Sequence, residues 1–287
     1  MNRLLIAPLL AAPILFASCD KTDEPRTPKS YRISWIGENV DDSSYQIFEY
    51  TDNGLISEWR CYGDDAEYHA GYQHSAEGII DISAEEKSGD ERRLFSETLR
   101  TSQGVAHRAE GTYQQYSADR LIIRKRYTAD FSYTADRHLA GISISEWTTD
   151  SEGNDLGTPL TWNVTLNWDP AGNLVRYAEY TNPARPMLDA EYIYYGGETV
   201  SHFPLLQRPI LRRYYLPLQY CGYLGEQSKS LLQKATYTSS GTIDYSFSYD
   251  LSVSTLSSWV ESYTVTGPTS TRDFIIAWDA FTPSAEK

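Results

Sequence analysis

The sequence predicts an all-β fold, an antiparallel β-meander curled into a water-soluble barrel or half-barrel with a Pro-rich apolar connection packing on it. Three observations carry this. Apolar residues recur with a period of two, an aromatic-turn-aliphatic unit repeats along the chain, and 23 Tyr and 7 Trp in 287 residues suit pleated, half-buried surfaces. Trp162, Val164, Leu166 and Trp168 alternate with Asn163, Thr165, Asn167 and Asp169. Ile243, Tyr245, Phe247 and Tyr249 alternate in the same way with Asp244, Ser246, Ser248 and Asp250, and Leu55, Trp59 and Cys61 stand less regularly against Glu58, Arg60 and Tyr62. Successive side chains of a strand point to opposite faces, so each such segment buries one face only.

Taken in order, the chain opens with Arg3, an apolar run from Leu4 to Phe16, and Phe16-Ala17-Ser18-Cys19, the pattern of a bacterial lipoprotein signal. The run is too short to cross roughly 30 Å of hydrocarbon as a helix. Residues 1–18 are therefore read as a signal peptide and Cys19 as the lipidated residue. Residues 19–30 are the lipidated cysteine and a polar tether, with Pro25, Pro28 and no apolar periodicity. Its acidic start, Asp20, Asp23 and Glu24, is similar to the tract that follows the lipidated cysteine in surface-exported lipoproteins of some Gram-negative gut bacteria. The expected location is the outer membrane, lipid-anchored; the acidic tract points to its outer face, and an ordinary soluble spacer is the alternative.

Residues 31–287 are expected to form a single β-meander domain. Hairpins are read at Tyr50 to Leu55, His74 to Ile79, Tyr116 to Leu121, Trp168 to Leu174 and Tyr237 to Ile243, with eroded copies at Tyr133 to Arg137 and at Tyr249-Asp250. Gly or Asn supplies positive φ in such turns, and a preceding Asp, Ser or Thr bonds the turn backbone. Roughly 14 to 18 strands follow from the usual length of a strand and its turn. Ser201 to Gln233 departs from the pattern, because Pro204, Pro209 and Pro217 interrupt a run containing Leu205, Leu206, Ile210, Leu211, Leu216 and Leu218. Proline cannot donate to a central ladder, so this is a long connection with a short helical turn. Its leucines require it to pack across an end or face of the sheet.

The stretch RPILRRYYLPLQYCGYLGEQSKSLL, Arg208 to Leu232, with its Gly222-Tyr223-Leu224-Gly225 and Ser228-Lys229 pattern, resembles the leucine-rich connection of a family of gut-bacterial lipoproteins of unknown function. That family is described as having a porin-like fold. The resemblance implies a lipid-anchored, curled antiparallel β-fold and brings no catalytic residues with it. A porin-like sheet need not span a membrane. A lipid anchor is superfluous for an inserted barrel, the polar Ser284-Ala285-Glu286-Lys287 is unlike the terminal aromatic of such barrels, and the mean hydropathy is −0.50.

Charge narrows the partners. A net charge of −14 offers no funnel for phosphate backbones, which disfavours nucleic acid, and it leaves membrane association to acyl chains on Cys19. Cys61 and Cys221 either form a disulfide or remain separate buried thiols. His69, His74, His107, His138 and His202 have no metal-ligand spacing, and His69 and His74 fall on opposite faces of one strand. Asp150 to Asp155 resembles a calcium loop but lacks its terminal Glu. No metal or cofactor is expected.

A glycan platform remains a candidate, because flat rings stack on sugar faces while Asp, Asn or Gln bond hydroxyls. Tyr194, Tyr195, Tyr214, Tyr215, Tyr220 and Tyr223 gather around the long connection and are the candidate ligand-binding residues. The expectation is a non-catalytic binding or scaffold domain with a glycan or envelope-protein ligand. The alternative is a glycan hydrolase using paired carboxylates, for which Asp64, Asp65 and Glu67 near Tyr68 and Tyr72 are the place to look. A structural shell of regular tyrosine-containing repeats is disfavoured by the uneven spacing of the hairpins.

Overall fold

A computed structural model of the chain describes residues 30–38, 44–63, 66–196, 212–239, 242–253 and 260–281. The first half of the sheet comprises β1 (Ser30–Glu38), β2 (Tyr45–Tyr50), β3 (Ile56–Tyr62), β4 (Glu67–His74), β5 (Ile79–Ser88), β6 (Glu91–Ser102), β7 (Val105–Ser117) and β8 (Arg120–Tyr133). The second half comprises β9 (Leu139–Thr148), β10 (Leu160–Trp168), β11 (Leu174–Tyr180), β12 (Leu188–Tyr194), β13 (Leu232–Ser239), β14 (Thr242–Val253), β15 (Val260–Thr266) and β16 (Thr271–Phe281). Each strand pairs with its sequence neighbours, and β1 pairs with β16 from Ser30↔Phe281 to Glu38↔Phe274, which closes the barrel and excludes the half-barrel.

The alternation read from sequence is the in-out alternation of this barrel. On β10 Val164 and Leu166 are buried with Trp162 and Trp168 beside them, while Thr161 and Asn167 are exposed. On β5 Ile80, Ile82 and Ala84 point inward against the exposed Asp81 and Ser83. The apolar face thus lines the interior, the reverse of a barrel whose outward band meets lipid. No helix among the described residues is long and apolar enough to cross a membrane.

Six of the seven turn signatures fall between consecutive strands, and Gly54, Gly78 and Gly172 supply the positive φ expected of them. Ala118 and Asp119 make the β7–β8 turn with φ of 45° and 62°, without any glycine. Tyr249-Asp250 is a correction: it lies inside β14, paired with Val265 and Thr264, because the polar Asp250 simply occupies an outward position of a continuing strand. The turns at Gly89-Asp90 and Gln103-Gly104 carry no preceding aromatic and had no such signature.

The connection packs on the sheet with a short helical turn, as expected, and it does so from inside: its described part enters the lumen as a 3-10 turn (Arg213–Tyr215) followed by α1 (Leu216–Tyr220). A barrel of this many strands encloses more space than side chains alone can fill, so backbone must enter it. Pro217 sits in the first turn of α1, where its missing N–H costs nothing. Tyr215, Leu218 and Leu224 are at most 1% exposed, and each buried leucine contributes about 1.5–3 kcal/mol. Leu205, Leu206, Ile210 and Leu211, with Pro204 and Pro209, lie outside the described residues.

Beyond α1 the chain crosses one pole of the barrel. Ala106 N–H donates to Tyr223 O at 2.8 Å, Glu226 N–H to Arg137 O at 3.0 Å, and Ser228 Oγ accepts from Leu174 N–H at 3.0 Å. Asn173, in the β10–β11 turn, accepts from the N–H groups of Lys229 and Ser230 at 3.2 and 2.9 Å. Gly225 has φ +86°, and a Cβ there would lie 2.3 Å from Arg137 O, so only glycine permits this approach. The turns preceding β3, β5, β7, β9 and β11 share this plugged pole. Because β2 ends there, the antiparallel β1 begins there, and Ser30 with its partner Phe281 marks the same end.

Candidate ligand-binding cavity

On the far side of the plug, toward the turns after β3, β5, β7 and β9, lies a cavity of ≈370 Å³. Its chemistry comes from a change in the inward-facing rows. On β5 the inward series Ile80, Ile82, Ala84 continues to Glu86, and on β8 the series Phe131, Ala129, Tyr127 continues to Lys125. On β9 Ile142 and Ile144 are followed by Glu146, and on β6 Leu99, Glu97 and Phe95 are followed by Arg93. The lumen is therefore apolar near the plug and charged at the opposite pole.

Aromatic rings and ion pairs set its walls. Trp59, Tyr68, Phe95, Tyr113 and Tyr214 line it. Arg93 Nη1 donates to Glu86 at 3.0 Å, and Tyr68 Oη donates to the same carboxylate at 3.1 Å. Lys125 Nζ donates to Glu146 at 2.5 Å, and Arg212 lies 4.0 Å from the other oxygen. The Arg212 guanidinium stands over Tyr127 at 4.4 Å and Phe95 at 5.1 Å, while Arg213 stands over Tyr68 at 4.5 Å. Such cation–ring contacts fix long side chains without consuming their N–H donors. His69 and Glu85, at the cavity's margin, belong to the outward register, where they meet Glu58 at 3.0 Å and Lys87 at 3.3 Å.

Beneath the cavity Glu97 is 2% exposed and accepts from three tyrosines, Tyr127 and Tyr215 at 2.5 Å each and Tyr214 at 3.0 Å. Burial raises its pKa against the lowering effect of those hydrogen bonds and of Arg212. Tyr214 and Tyr215 belong to the plug and Tyr127 to the wall, so Glu97 joins the two. Gly111, opposite on β7, makes room: a Cβ there would fall 2.6 Å from the Tyr127 hydroxyl.

The six tyrosines singled out in the sequence are not one platform. Tyr214 lines the cavity and Tyr215 is buried below it. Tyr194 donates to Leu174 O at 2.8 Å and meets Ser228, Tyr195 donates to Tyr249 O at 2.6 Å, Tyr220 meets Phe48 at 5.6 Å, and Tyr223 stands beside His74 at 5.8 Å. These four secure the connection or a strand end. Cys61 and Cys221 are both free, so the disulfide is not formed; burial pushes their thiols up to about 11 and about 12.

Chains of known structure resemble this one at low sequence identity. A porin-like protein from Bacteroides vulgatus ATCC 8482 matches with a TM-score of 0.54 and 13% identity, over 87% of this chain and 99% of that one. A porin-like protein from Bacteroides uniformis ATCC 8492 matches with a TM-score of 0.48 and 13% identity, over 88% of this chain and 99% of that one. The fold is porin-like. This agrees with the fold implied by the resemblance of Arg208 to Leu232, and it concerns the fold alone. The chain matches no family model and no curated protein.

Of the other sequence candidates, Tyr68 is a wall of the cavity. Asp64, Asp65, Cys19 and His202 lie outside the described residues, and Glu67 is exposed on the outer face while Tyr72 is buried, donating to Tyr214 O at 2.6 Å. His69 faces out and His74 in, as their spacing requires; His138 stacks on Trp168 at 4.2 Å. The Asp150 carboxylate accepts from the N–H groups of Glu152 and Asn154 at 2.9 Å, and Asp155 is paired with Arg126, so that loop is closed on itself. No cluster of metal-ligating side chains occurs among the described residues. The cavity residues Glu86, Arg93, Lys125, Glu146, Arg212 and Arg213 were missed, although a charge standing in register with an inward apolar row was a readable signal.

Proposed function

We propose that the chain is a cell-envelope lipoprotein, acylated at Cys19 and tethered by residues 20–30 to the outer membrane, whose porin-like barrel binds a polar ligand of the glycan class. One observation carries the binding reading: a ≈370 Å³ cavity lined by aromatic rings and fixed polar groups, the composition of a small-ligand site. Its position supports the anchored reading, because Ser30 begins β1 at the plugged pole, so a tether leaving there turns the cavity away from the surface that holds it. The flat rings of Tyr68 and Tyr113 and the carboxylate of Glu86 suit a sugar that presents both an apolar face and hydroxyls.

Two measurements test this. Radiolabelled palmitate should mark the chain and fail to mark a Cys19→Ser variant; an unlabelled native chain overturns the anchor. Oligosaccharide arrays should give ligands whose binding is lost in Tyr68→Ala and Tyr113→Ala; an array without hits overturns the glycan reading. Glycan hydrolysis is the second reading, since Glu86 and Glu146 line one cavity. Both are already engaged by cations, whereas hydrolysis requires one carboxyl free to protonate the leaving oxygen. Release of reducing ends that disappears in Glu86→Gln or Glu146→Gln would establish it in place of simple binding.

A further inference from the structure

Building on the binding reading, we propose that this cavity is an oxyanion site and that its ligand is a saccharide bearing carboxylate or sulfate groups. The chain as a whole is strongly acidic, at −14, yet this vestibule of mixed rings and charges is lined by Arg93, Lys125, Arg212 and Arg213. Against these four cations stand the inward carboxylates Glu86 and Glu146, with Glu97 sealed below under three tyrosine hydroxyls. Glu85, the remaining acid at the margin, is spent on the outer face with Lys87 and Arg92 at 3.3 and 4.0 Å.

The cations are not equally engaged. Arg93 and Lys125 each hold a glutamate, and Arg212 is wedged between two rings near Glu146. Arg213 has no carboxylate partner among the described residues, and it is exposed while its guanidinium rests on Tyr68 at 4.5 Å and meets the thiol of Cys61. A guanidinium held flat on a ring keeps its in-plane donors for a planar or tetrahedral oxyanion, which it grips in bidentate fashion. The Nε atoms of Arg93 and Arg212 are likewise buried with no hydrogen-bond partner among the described residues. Cations gathered in a partly enclosed, low-dielectric space repel one another, and an anion entering it relieves that repulsion while Tyr68 and Tyr113 offer stacking faces for the sugar ring.

The test is calorimetric titration of the full chain with three matched sets of oligosaccharides: uronate-containing, sulfated and neutral. At least one acidic set should bind ~10-fold or more tightly than the neutral set, equivalent to one charge-assisted contact, and its affinity should fall with added salt. Arg213→Ala should lose that advantage, Arg213→Lys should recover part of it, and both should retain the native melting temperature. Which acidic set binds identifies the oxyanion. Equal binding of acidic and neutral sugars, or an unchanged preference in Arg213→Ala, overturns the oxyanion site while leaving the glycan reading intact. Binding of none of the three sets overturns both.

Discussion

At Glu97 a carboxyl group is buried among three phenols that all donate to it, and its ordinary pKa of 4.5 is raised by that burial. The folded chain therefore keeps this proton over a range in which the unfolded chain has released it, so the group's contribution weakens the fold as pH rises from the usual carboxylate range through the folded value. Glu97→Gln, which cannot ionise, should flatten that slope in urea midpoints measured from pH 4 to 8; an unchanged slope contradicts the assignment. Glu97→Ala leaves the hydroxyls of Tyr127, Tyr214 and Tyr215 without their acceptor and should cost ~3 kcal/mol in the same assay. A second residue-scale prediction concerns Ala118 and Asp119, whose positive φ values are ones an L side chain with Cβ resists. Replacing them together by Asn-Gly should raise stability by about 0.5–1 kcal/mol, read as a higher melting temperature.

Among the elements, the strands were legible, and the connection was legible as packing on the sheet but not as filling its lumen. A period of two fixes which side chains share a face, and in β10 this grouped Val164 and Leu166 on the face that the structure buries. The same period cannot say what fills the interior, because that depends on how many strands close and how wide the lumen becomes. The tyrosines of Arg208 to Leu232 looked like an exposed platform for the same reason: a ring suited to stacking on a sugar is equally suited to bracing a helix inside a barrel. Charges such as Lys125 and Glu146 passed unnoticed because each is ordinary alone and becomes unusual only once its row is known to face inward. The thiols give an element-scale prediction. Cys61 on β3 and Cys221 after α1 have their pKa values raised to about 11 and about 12, so at pH 8 a thiol reagent should leave both nearly unreacted in the folded chain and titrate both in guanidinium. Rapid labelling of the native chain would mean that the plug leaves the lumen readily.

For the whole molecule, the two poles have different chemistry and different connections: one is crossed by the plug and receives both described ends of the sheet, the other holds the charged vestibule. Gly225 is where the plug meets the β8–β9 turn, and Gly225→Ala, strained by its φ of +86° and by contact with Arg137 O, should lower the melting temperature through loss of this attachment. A variant with native stability there would show that the pole is held by its other contacts alone. The pairing of β1 with β16 spans almost the whole described chain, from Ser30 to Phe281. A chain of this topology cannot complete its ring until the final strand is in place, and every earlier stage carries two unsatisfied sheet edges. Its folding is thus a race between the arrival of the last segment and the pairing of those open edges with neighbouring chains.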